Sequence, residues 1–174
     1  MRGRLTISLM SAAVLLVALS FADSRPKLIW NRTQSVPEGL YILAQPTAPL
    51  ERGSLVAYLP ESSEAQWLED RGALGRGWPL LKRVAGLEGD EICVHEDSLL
   101  INARPAALLL ARDHQGYALP RPSGCYRLGP SEVLLLADHP RSLDGRYFGP
   151  KSIERIIGKA QPLWLQDPGF AAPE

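Results

Sequence analysis

The segment that decides the fold is Asn31-Arg-Thr-Gln-Ser-Val-Pro-Glu-Gly-Leu-Tyr41. It begins a few residues after an apolar N-terminal stretch, and its turn-forming residues surround the hydroxyl of Ser35. An apolar pattern resumes directly afterwards, so residues 39–43 are predicted to form a short strand. A serine followed by Val-Pro carries no chemistry by itself, so the rest of the chain must supply whatever Ser35 needs.

Short apolar runs separated by turn residues continue along the chain. The 174 residues include 15 glycines and 15 prolines, which favours a loop-rich, coiled antiparallel β domain over a helical bundle. A match to a capping box at Ser63 predicts one short helix at residues 64–71. The other runs predict strands at residues 54–59, 80–85, 91–94, 99–101 and 132–137, a strand or helix at 106–111, a polar loop at 138–150, and a return to the core at 153–165.

The N-terminal stretch has the composition of a membrane segment. Residues 5–22 contain no charged side chain, and the stretch is just long enough for a spanning helix. Small residues near Ser20 also suit a cleaved signal peptide, and a buried helix of the domain is the third alternative. Leu28-Ile29-Trp30 suits either a membrane interface or a first strand. We therefore expect an anchor or signal segment at residues 1–27, a folded domain at 28–166 and a flexible tail at 167–174.

Charge and cysteine content narrow the functional class. Nineteen basic and nineteen acidic residues give a net charge of zero, which argues against a nucleic-acid-binding protein with a basic face. The two cysteines, Cys93 and Cys125, lack the spacing of zinc or redox motifs. They are either buried thiols or, outside the cytoplasm, one disulfide. No motif implies a metal or a cofactor.

A serine hydroxyl becomes a good nucleophile only when a base takes its proton. Two of the three histidines, His95 and His114, lie in polar, turn-like contexts typical of surface residues. His139 lies in a polar loop near Asp144, which leaves a Ser-His-Asp arrangement open. Lysine is the other source of a base.

Lysine is scarce in this chain, with four residues against fifteen arginines. Lys82 lies in the apolar run 80–85, where strand alternation can turn it inward while Arg83 faces water. Burial would lower its pKa from about 10.4 toward about 7–8, where an amine accepts a proton near neutral pH. The competing interpretation is a solvated lysine on an edge strand.

The polar loop offers groups that would support such a base. Ser142 can hydrogen-bond a neutral lysine. Asp144 and Arg146 are two residues apart, so in an extended loop they would share a face and pair with each other or with loop backbone. The alternative is a solvated loop with an incidental ion pair.

Four segments, taken in order, resemble the sequence boxes of the S26 signal peptidases, which are membrane-bound Ser/Lys proteases. The resemblance is closest to the conjugative-transfer TraF peptidase branch and covers most of the chain. The four segments are Thr33-Gln-Ser-Val-Pro-Glu-Gly-Leu-Tyr41, Arg52-Gly-Ser-Leu-Val56, Leu81-Lys-Arg-Val-Ala-Gly-Leu-Glu-Gly-Asp90 and Ser142-Leu-Asp-Gly-Arg-Tyr-Phe-Gly-Pro150.

This resemblance implies a role for each matching residue. Ser35 would be the acylating nucleophile and Lys82 its general base. The backbone N–H of Ser35 would form the oxyanion hole, with the Thr33 hydroxyl as a second donor. Ser142 would orient Lys82. The remaining implied residues are Asp144 and Arg146, which would brace the site, and Cys93 and Cys125, which fit the TraF-like pattern.

The resemblance also implies a fold and a location. The fold would be mainly β, a coiled, barrel-like antiparallel sheet of the signal peptidase type, also that of the LexA-like Ser/Lys proteases, with an N-terminal transmembrane helix and one short helix. The catalytic domain would lie in the periplasm, anchored to the inner membrane. Its partners would be a protein precursor, membrane lipid and a conjugation or secretion complex, without nucleic acid or cofactor.

Two departures from the housekeeping enzymes point to a specialised substrate. Pro37 lies two residues after Ser35 rather than three, and Ala137-Asp-His-Pro140 stands where those enzymes usually have Gly-Asp-Asn-Arg. Both favour pilin maturation, in which members of the TraF branch can also close the cleaved pilin into a ring. The alternatives are a general type I signal peptidase, a repressor-like autoprotease, for which no DNA-binding segment is present, and an inert anchored assembly subunit.

Overall fold

The computed structural model describes residues 27–45, 49–75 and 77–166. Residues 1–26 of the predicted anchor or signal segment and the predicted tail at 167–174 lie outside this part of the chain. Within the described ranges, no helix has the length and apolar character needed to cross a membrane.

Short strands dominate the described residues, as the spacing of apolar runs predicts. The predicted helix begins earlier than expected, and a second short helix lies within the stretch predicted to be a polar loop. The helices are α1 (Ser62–Asp70) and α2 (Gly145–Phe148), with one 3-10 turn at Ile153–Arg155. The strands are β1 (Lys27–Asn31), β2 (Gly39–Ala44), β3 (Leu55–Tyr58), β4 (Leu80–Gly86), β5 (Glu91–His95), β6 (Ser98–Ile101), β7 (Arg104–Leu108), β8 (Gly124–Arg127), β9 (Glu132–Leu136), β10 (Lys151–Ser152) and β11 (Ile156–Leu165).

The strands form two antiparallel sheets. The larger sheet has the order β1-β2-β11-β3-β4-β9-β10, and the smaller has the order β7-β6-β5-β8. Each strand pair is antiparallel, which confirms the prediction of a mainly β, antiparallel fold. The predicted return to the core at residues 153–165 corresponds to the 3-10 turn and to β11, which continues to Leu165 with β-bulges at its irregular positions.

Both faces of the central strand β4 are buried. Leu80 and Val84 belong to a cluster that also contains Leu68 of α1, whereas Leu81 packs on the opposite face with Tyr41. Successive strand residues point to opposite faces, so Lys82 points to the same side as Leu80 and Val84. The sheet therefore carries Lys82 into an apolar layer.

Tertiary contacts replace the predicted capping box of α1. The N-cap residue is Glu61, without a side-chain cap bond, rather than Ser63. Glu64 is buried: its carboxylate accepts from the Tyr58 hydroxyl at 2.6 Å and pairs with the Lys151 ammonium at 2.8 Å. This charged pair holds α1 against the sheet beside β10.

Cys93 of β5 and Cys125 of β8 are directly opposite each other in the smaller sheet and are joined in a disulfide. The two residues are 32 positions apart in sequence. In the chain-entropy model, a cross-link closing such a loop stabilises the folded state by about 3–4 kcal/mol relative to the unfolded chain.

Reduction of this disulfide is therefore expected to lower the free energy of unfolding by about 3–4 kcal/mol. Urea unfolding of the full-length chain in detergent, with and without reductant, measures the change. The Cys93→Ala/Cys125→Ala double variant is the control, because reductant should leave its midpoint unchanged. Equal midpoints for the oxidised and reduced wild-type protein would contradict the expectation.

Candidate active site

A buried asparagine fixes the loop that carries Ser35. The side-chain amide of Asn31 donates to the backbone oxygens of Thr33, Val36 and Pro37 at 2.9, 3.0 and 3.1 Å. The Tyr41 hydroxyl donates to the Pro37 oxygen as well, at 2.7 Å. Asn31 and Tyr41, at the two ends of the segment 31–41, thereby provide donors for loop carbonyls that would otherwise lack partners.

Gly39 lets this loop enter β2 against β11. A Cβ atom at position 39 would lie 2.2 Å from the backbone oxygen of Trp164, closer than any side chain permits. The glycine is therefore required by the close approach of two backbones. It sets the position of the loop relative to the sheet.

The ammonium group of Lys82 lies between two serine hydroxyls. Its Nζ is 3.0 Å from Ser35 Oγ and 2.6 Å from Ser142 Oγ, and the two hydroxyl oxygens are 3.2 Å apart. These residues come from three separate parts of the chain, β4 and the loops that precede β2 and α2. The structure thus brings together the three residues for which the sequence predicts nucleophile, base and orienting roles.

Lys82 is almost completely enclosed, with 1% of its surface exposed. The pKa of its amine is lowered to about 8, mainly because burial disfavours the charged form; the nearby Asp144 raises this pKa and Arg146 lowers it. A neutral amine is therefore accessible near physiological pH, and its lone pair can accept a hydroxyl proton.

The carboxylate of Asp144 and the guanidinium of Arg146 form a completely buried pair beside the serines. Asp144 accepts from Arg146 Nε at 2.8 Å and Nη2 at 3.0 Å, and from the Ala137 backbone N–H at 2.9 Å. Arg146 also donates to the backbone oxygens of Ala137, Pro140 and Leu108. The pair therefore joins the loop that follows β9, which also carries Ser142, to the end of β7.

Thr33 and His139 form hydrogen bonds that differ from those of an oxyanion hole or a Ser-His-Asp arrangement. The Thr33 hydroxyl donates to Asn31 Oδ1 at 3.0 Å, so its oxyanion role stays a prediction. His139 Nδ1 accepts from the Arg141 backbone N–H at 3.1 Å, and no contact among the described residues joins its ring to Ser35 or Asp144. The described contacts of Ser35 lead to Lys82 instead.

Ser35 and Lys82 open onto a cleft of about 550 Å³. Leu68, Leu80 and Leu143 supply apolar walls, and the loop residues Thr33 and Gln34 form one rim. A cleft of this size holds several residues of an extended peptide. Within the described ranges, no group of three or more His, Cys, Asp or Glu residues is arranged to hold a metal ion.

The sequence does not predict two sets of supporting residues. Asn31 gives no signal, because nothing local marks an asparagine that bonds to its own loop. The Glu64–Lys151 pair had a usable signal, since Glu64 and Leu68 are four residues apart and share one helix face. A carboxylate on that apolar face predicts a buried partner of opposite charge.

Comparisons with known proteins agree over most of the chain. A family model described as signal peptidase, peptidase S26, matches residues 2–165. A plasmid transfer protein TraF of Escherichia coli is 35% identical over 147 residues, covering 76% of this chain and 80% of that protein. A second from the same species is 34% identical over 163 residues, covering 87% and 89%.

Two further similarities are more distant. A conjugal transfer protein TraF of Agrobacterium fabrum is 32% identical over 147 residues, covering 79% of this chain and 82% of that protein. Among solved structures, a signal peptidase I from Enterococcus faecalis V583 aligns with a TM-score of 0.39 and 20% identity, covering 64% of this chain and 97% of that one. The family-model match contains every residue that lines the cleft.

Proposed function

The chain belongs to the signal peptidase S26 family of serine endopeptidases, and we propose that it is a membrane-anchored Ser/Lys protease that matures a conjugative pilin. The observation that carries the proposal is the 3.0 Å separation of Ser35 Oγ from the enclosed amine of Lys82. No described histidine contacts Ser35, so the lysine is the base that the geometry supports.

In the proposed acylation step, neutral Lys82 takes the proton of Ser35 while Oγ attacks the scissile carbonyl. The peptide C–N bond then breaks, and Lys82 gives its proton to the leaving amine. The 2.6 Å hydrogen bond between Lys82 and Ser142 keeps the lysine amine directed at Ser35. The product is an ester between Ser35 and the N-terminal part of the substrate.

Deacylation uses the same base in the same position. Lys82 takes a proton from the incoming nucleophile, which attacks the ester carbonyl, and returns it to Ser35 as the C–O bond breaks. Water as nucleophile yields a linear pilin. The amino terminus of the same pilin yields a ring closed by a new amide bond, without consumption of water.

The pKa of Lys82 predicts the pH dependence of this reaction. The amine must be neutral to act as a base, so kcat/KM is expected to rise about tenfold per pH unit up to about pH 8 and then to level off. Initial rates on a cleaved precursor between about pH 6 and pH 9.5 measure the profile. A kcat/KM that is flat across this range, or that falls as the pH rises through 8, would contradict the role of Lys82.

An exposed aromatic patch supports a location at the membrane surface. Trp30 of β1 stacks on Trp164 of β11 with ring centroids 5.6 Å apart, although 45% and 53% of their surfaces remain exposed. Leu28 and Leu163 beside them are also exposed. Tryptophan beside aliphatic residues suits the membrane interface, and β1 leads directly into the Ser35 loop.

Two further facts support an extracytoplasmic role in conjugation. The Cys93–Cys125 disulfide fits an oxidising compartment such as the periplasm. The relatives above are named for plasmid or conjugal transfer, which favours a pilin precursor over general preproteins. The substrate would bind in the cleft as an extended strand, with small residues nearest the cut.

Co-expression of the full-length chain with a candidate pilin precursor tests this proposal. Mass spectrometry of the pilin should show loss of a C-terminal peptide with the wild-type chain and intact precursor with Ser35→Ala. A cyclic product is one water lighter than the linear product, so the same spectrum separates the two outcomes. Equal processing by both chains would favour an inert assembly subunit, and cleavage of unrelated preproteins would favour a general signal peptidase.

A further inference from the structure

A second cavity of about 470 Å³ opens directly beside the catalytic cleft. Both are lined by Ala73, His114, Arg141 and Leu143, so a chain lying in one reaches the other without leaving the surface. The second cavity contains none of Ser35, Lys82 and Ser142. It is therefore an extension of the substrate groove away from the reacting atoms.

Three arginines line this extension, namely Arg71, Arg112 and Arg141. Asp113 is its one carboxylate, and that group accepts from the backbone N–H groups of Gln115 and Tyr117 rather than from an arginine. None of the three guanidinium groups forms an ion pair within the described residues. The cavity lining therefore has an excess of positive charge, and no ion pair in the described ranges neutralises its arginines.

The guanidinium of Arg71 is fixed in place without an acidic partner. It lies over the ring of Trp67 at 3.7 Å and near that of Tyr117 at 5.7 Å. Its Nε is buried and has no hydrogen-bond acceptor among the residues that the structure describes. The aromatic rings therefore hold the guanidinium beside the cavity, where its charge has no counterion among the described residues.

The other two arginines differ in how they are held. Arg112 Nη1 donates to the Gly116 backbone oxygen at 2.7 Å, which positions its guanidinium at the wall of the cavity. The side chain of Arg141 has no partner in the described part of the chain and is exposed at the junction with the catalytic cleft. One fixed and one free arginine thus face the same space, an arrangement suited to a planar anion.

We propose that this arginine cavity binds a carboxylate of the substrate polypeptide, and that it thereby selects substrates with an acidic group near the scissile bond. The inference rests on the proposed function, because the peptide in the cleft is what delivers the carboxylate. Arginine forks match carboxylates in two-point geometry, and the cavity is continuous with the place where the peptide reacts. The carboxylate belongs either to an Asp or Glu side chain or to the C-terminus.

Quenched-fluorescence peptides with alanine at the cut test this specificity on the full-length chain in detergent. One peptide is uncharged, and a series replaces single glutamines by glutamate on either side of the cut. A further pair of peptides ends in a free carboxylate or an amide. We expect kcat/KM to rise about tenfold for one position in the series or for the free C-terminus, and the identity of that peptide distinguishes the two sources.

Variants then connect the preference to the cavity. Arg112→Gln and Arg141→Gln should each reduce the ratio of kcat/KM for the acidic and the uncharged peptide toward one. Arg112→Glu should invert it, so that a lysine peptide becomes the better substrate. The exposed Arg104 of β7 lies outside the cavity, and Arg104→Gln should leave the ratio unchanged.

The ratio is taken within each variant, so a partly unfolded preparation does not change it. Cleavage of all peptides with equal kcat/KM by the wild-type chain would overturn the carboxylate site while leaving the protease assignment intact. An acidic preference that survives in both glutamine variants would overturn the assignment to this cavity. If the wild-type chain cleaves the precursor but none of the alanine peptides, single exchanges between glutamine and glutamate are made near the cut in the precursor instead. The same enzyme variants and the same criteria then apply.

Discussion

Replacement of Lys82 by methionine is expected to lower kcat/KM for precursor cleavage by about 10⁴-fold or more. Methionine matches the length of the lysine stem and suits the apolar layer that surrounds it, but it cannot accept the Ser35 proton. The two serine hydroxyls, 3.2 Å apart, retain each other as partners. The loss would therefore be chemical rather than structural.

The stability of Lys82→Met distinguishes a chemical from a structural cause of the lost activity. The unfolded chain binds the Lys82 proton up to about pH 10.5 and the folded chain only to about pH 8. Between these values the unfolded state holds more protons, so wild-type stability rises with pH across this window, and below it the folded state carries a penalty of about 3 kcal/mol. Lys82→Met should abolish this rise and unfold no more readily than the wild type at pH 7.

Lys27→Met is the matched control, because Lys27 is exposed on β1 at the far edge of the sheet. Its activity and unfolding should equal those of the wild type. An inactive Lys82→Met that also unfolds early would indicate a structural role for the lysine. An active Lys82→Met variant would show that Lys82 is not the base.

Replacement of Asp144 by alanine is expected to destabilise the fold by about 3–5 kcal/mol, because it leaves the Arg146 charge buried without a counterion. The Ala137 backbone N–H would lose its acceptor too. Urea unfolding at pH 7 measures the effect, and loss of precursor cleavage should accompany it because the loop that carries Ser142 is released.

A more exposed ion pair provides the comparison. Arg83 pairs with Asp138 at 2.8 Å, but the side chains are 35% and 17% exposed. Asp138→Ala is therefore expected to cost about 1 kcal/mol or less. If the two aspartate variants unfold at the same urea concentration, Asp144 does not neutralise a buried charge in the way described.

Alternation in the run 80–85 predicted an inward Lys82 and an outward Arg83, and the structure has this arrangement because the apolar neighbours Leu80 and Val84 fix the register. The resemblance to the S26 family is confirmed by the family model. A local signal sufficed for Lys82 because the face to which a strand residue points is set by its position relative to its nearest neighbours.

Contacts between distant segments were not predictable in the same way. Ser142 reaches Lys82 across 60 positions of sequence, and only the pairing of β4 with β9 brings them near. The expected polar loop contains α2 because the buried Asp144 accepts from the Arg146 backbone N–H as its N-cap. The capping box at Ser63 failed for the opposite reason, since Glu64 is drawn inward by Lys151.

The most direct test of the Ser35–Lys82 mechanism is detection of the acyl-enzyme. The full-length chain is mixed with the pilin precursor, quenched in acid within the first turnover, digested and analysed by mass spectrometry. The mechanism predicts the pilin acyl group as an ester on Ser35 in the wild-type chain and its absence in Lys82→Met. An acyl group on any other residue, or an equal yield of the Ser35 ester in Lys82→Met, would contradict it.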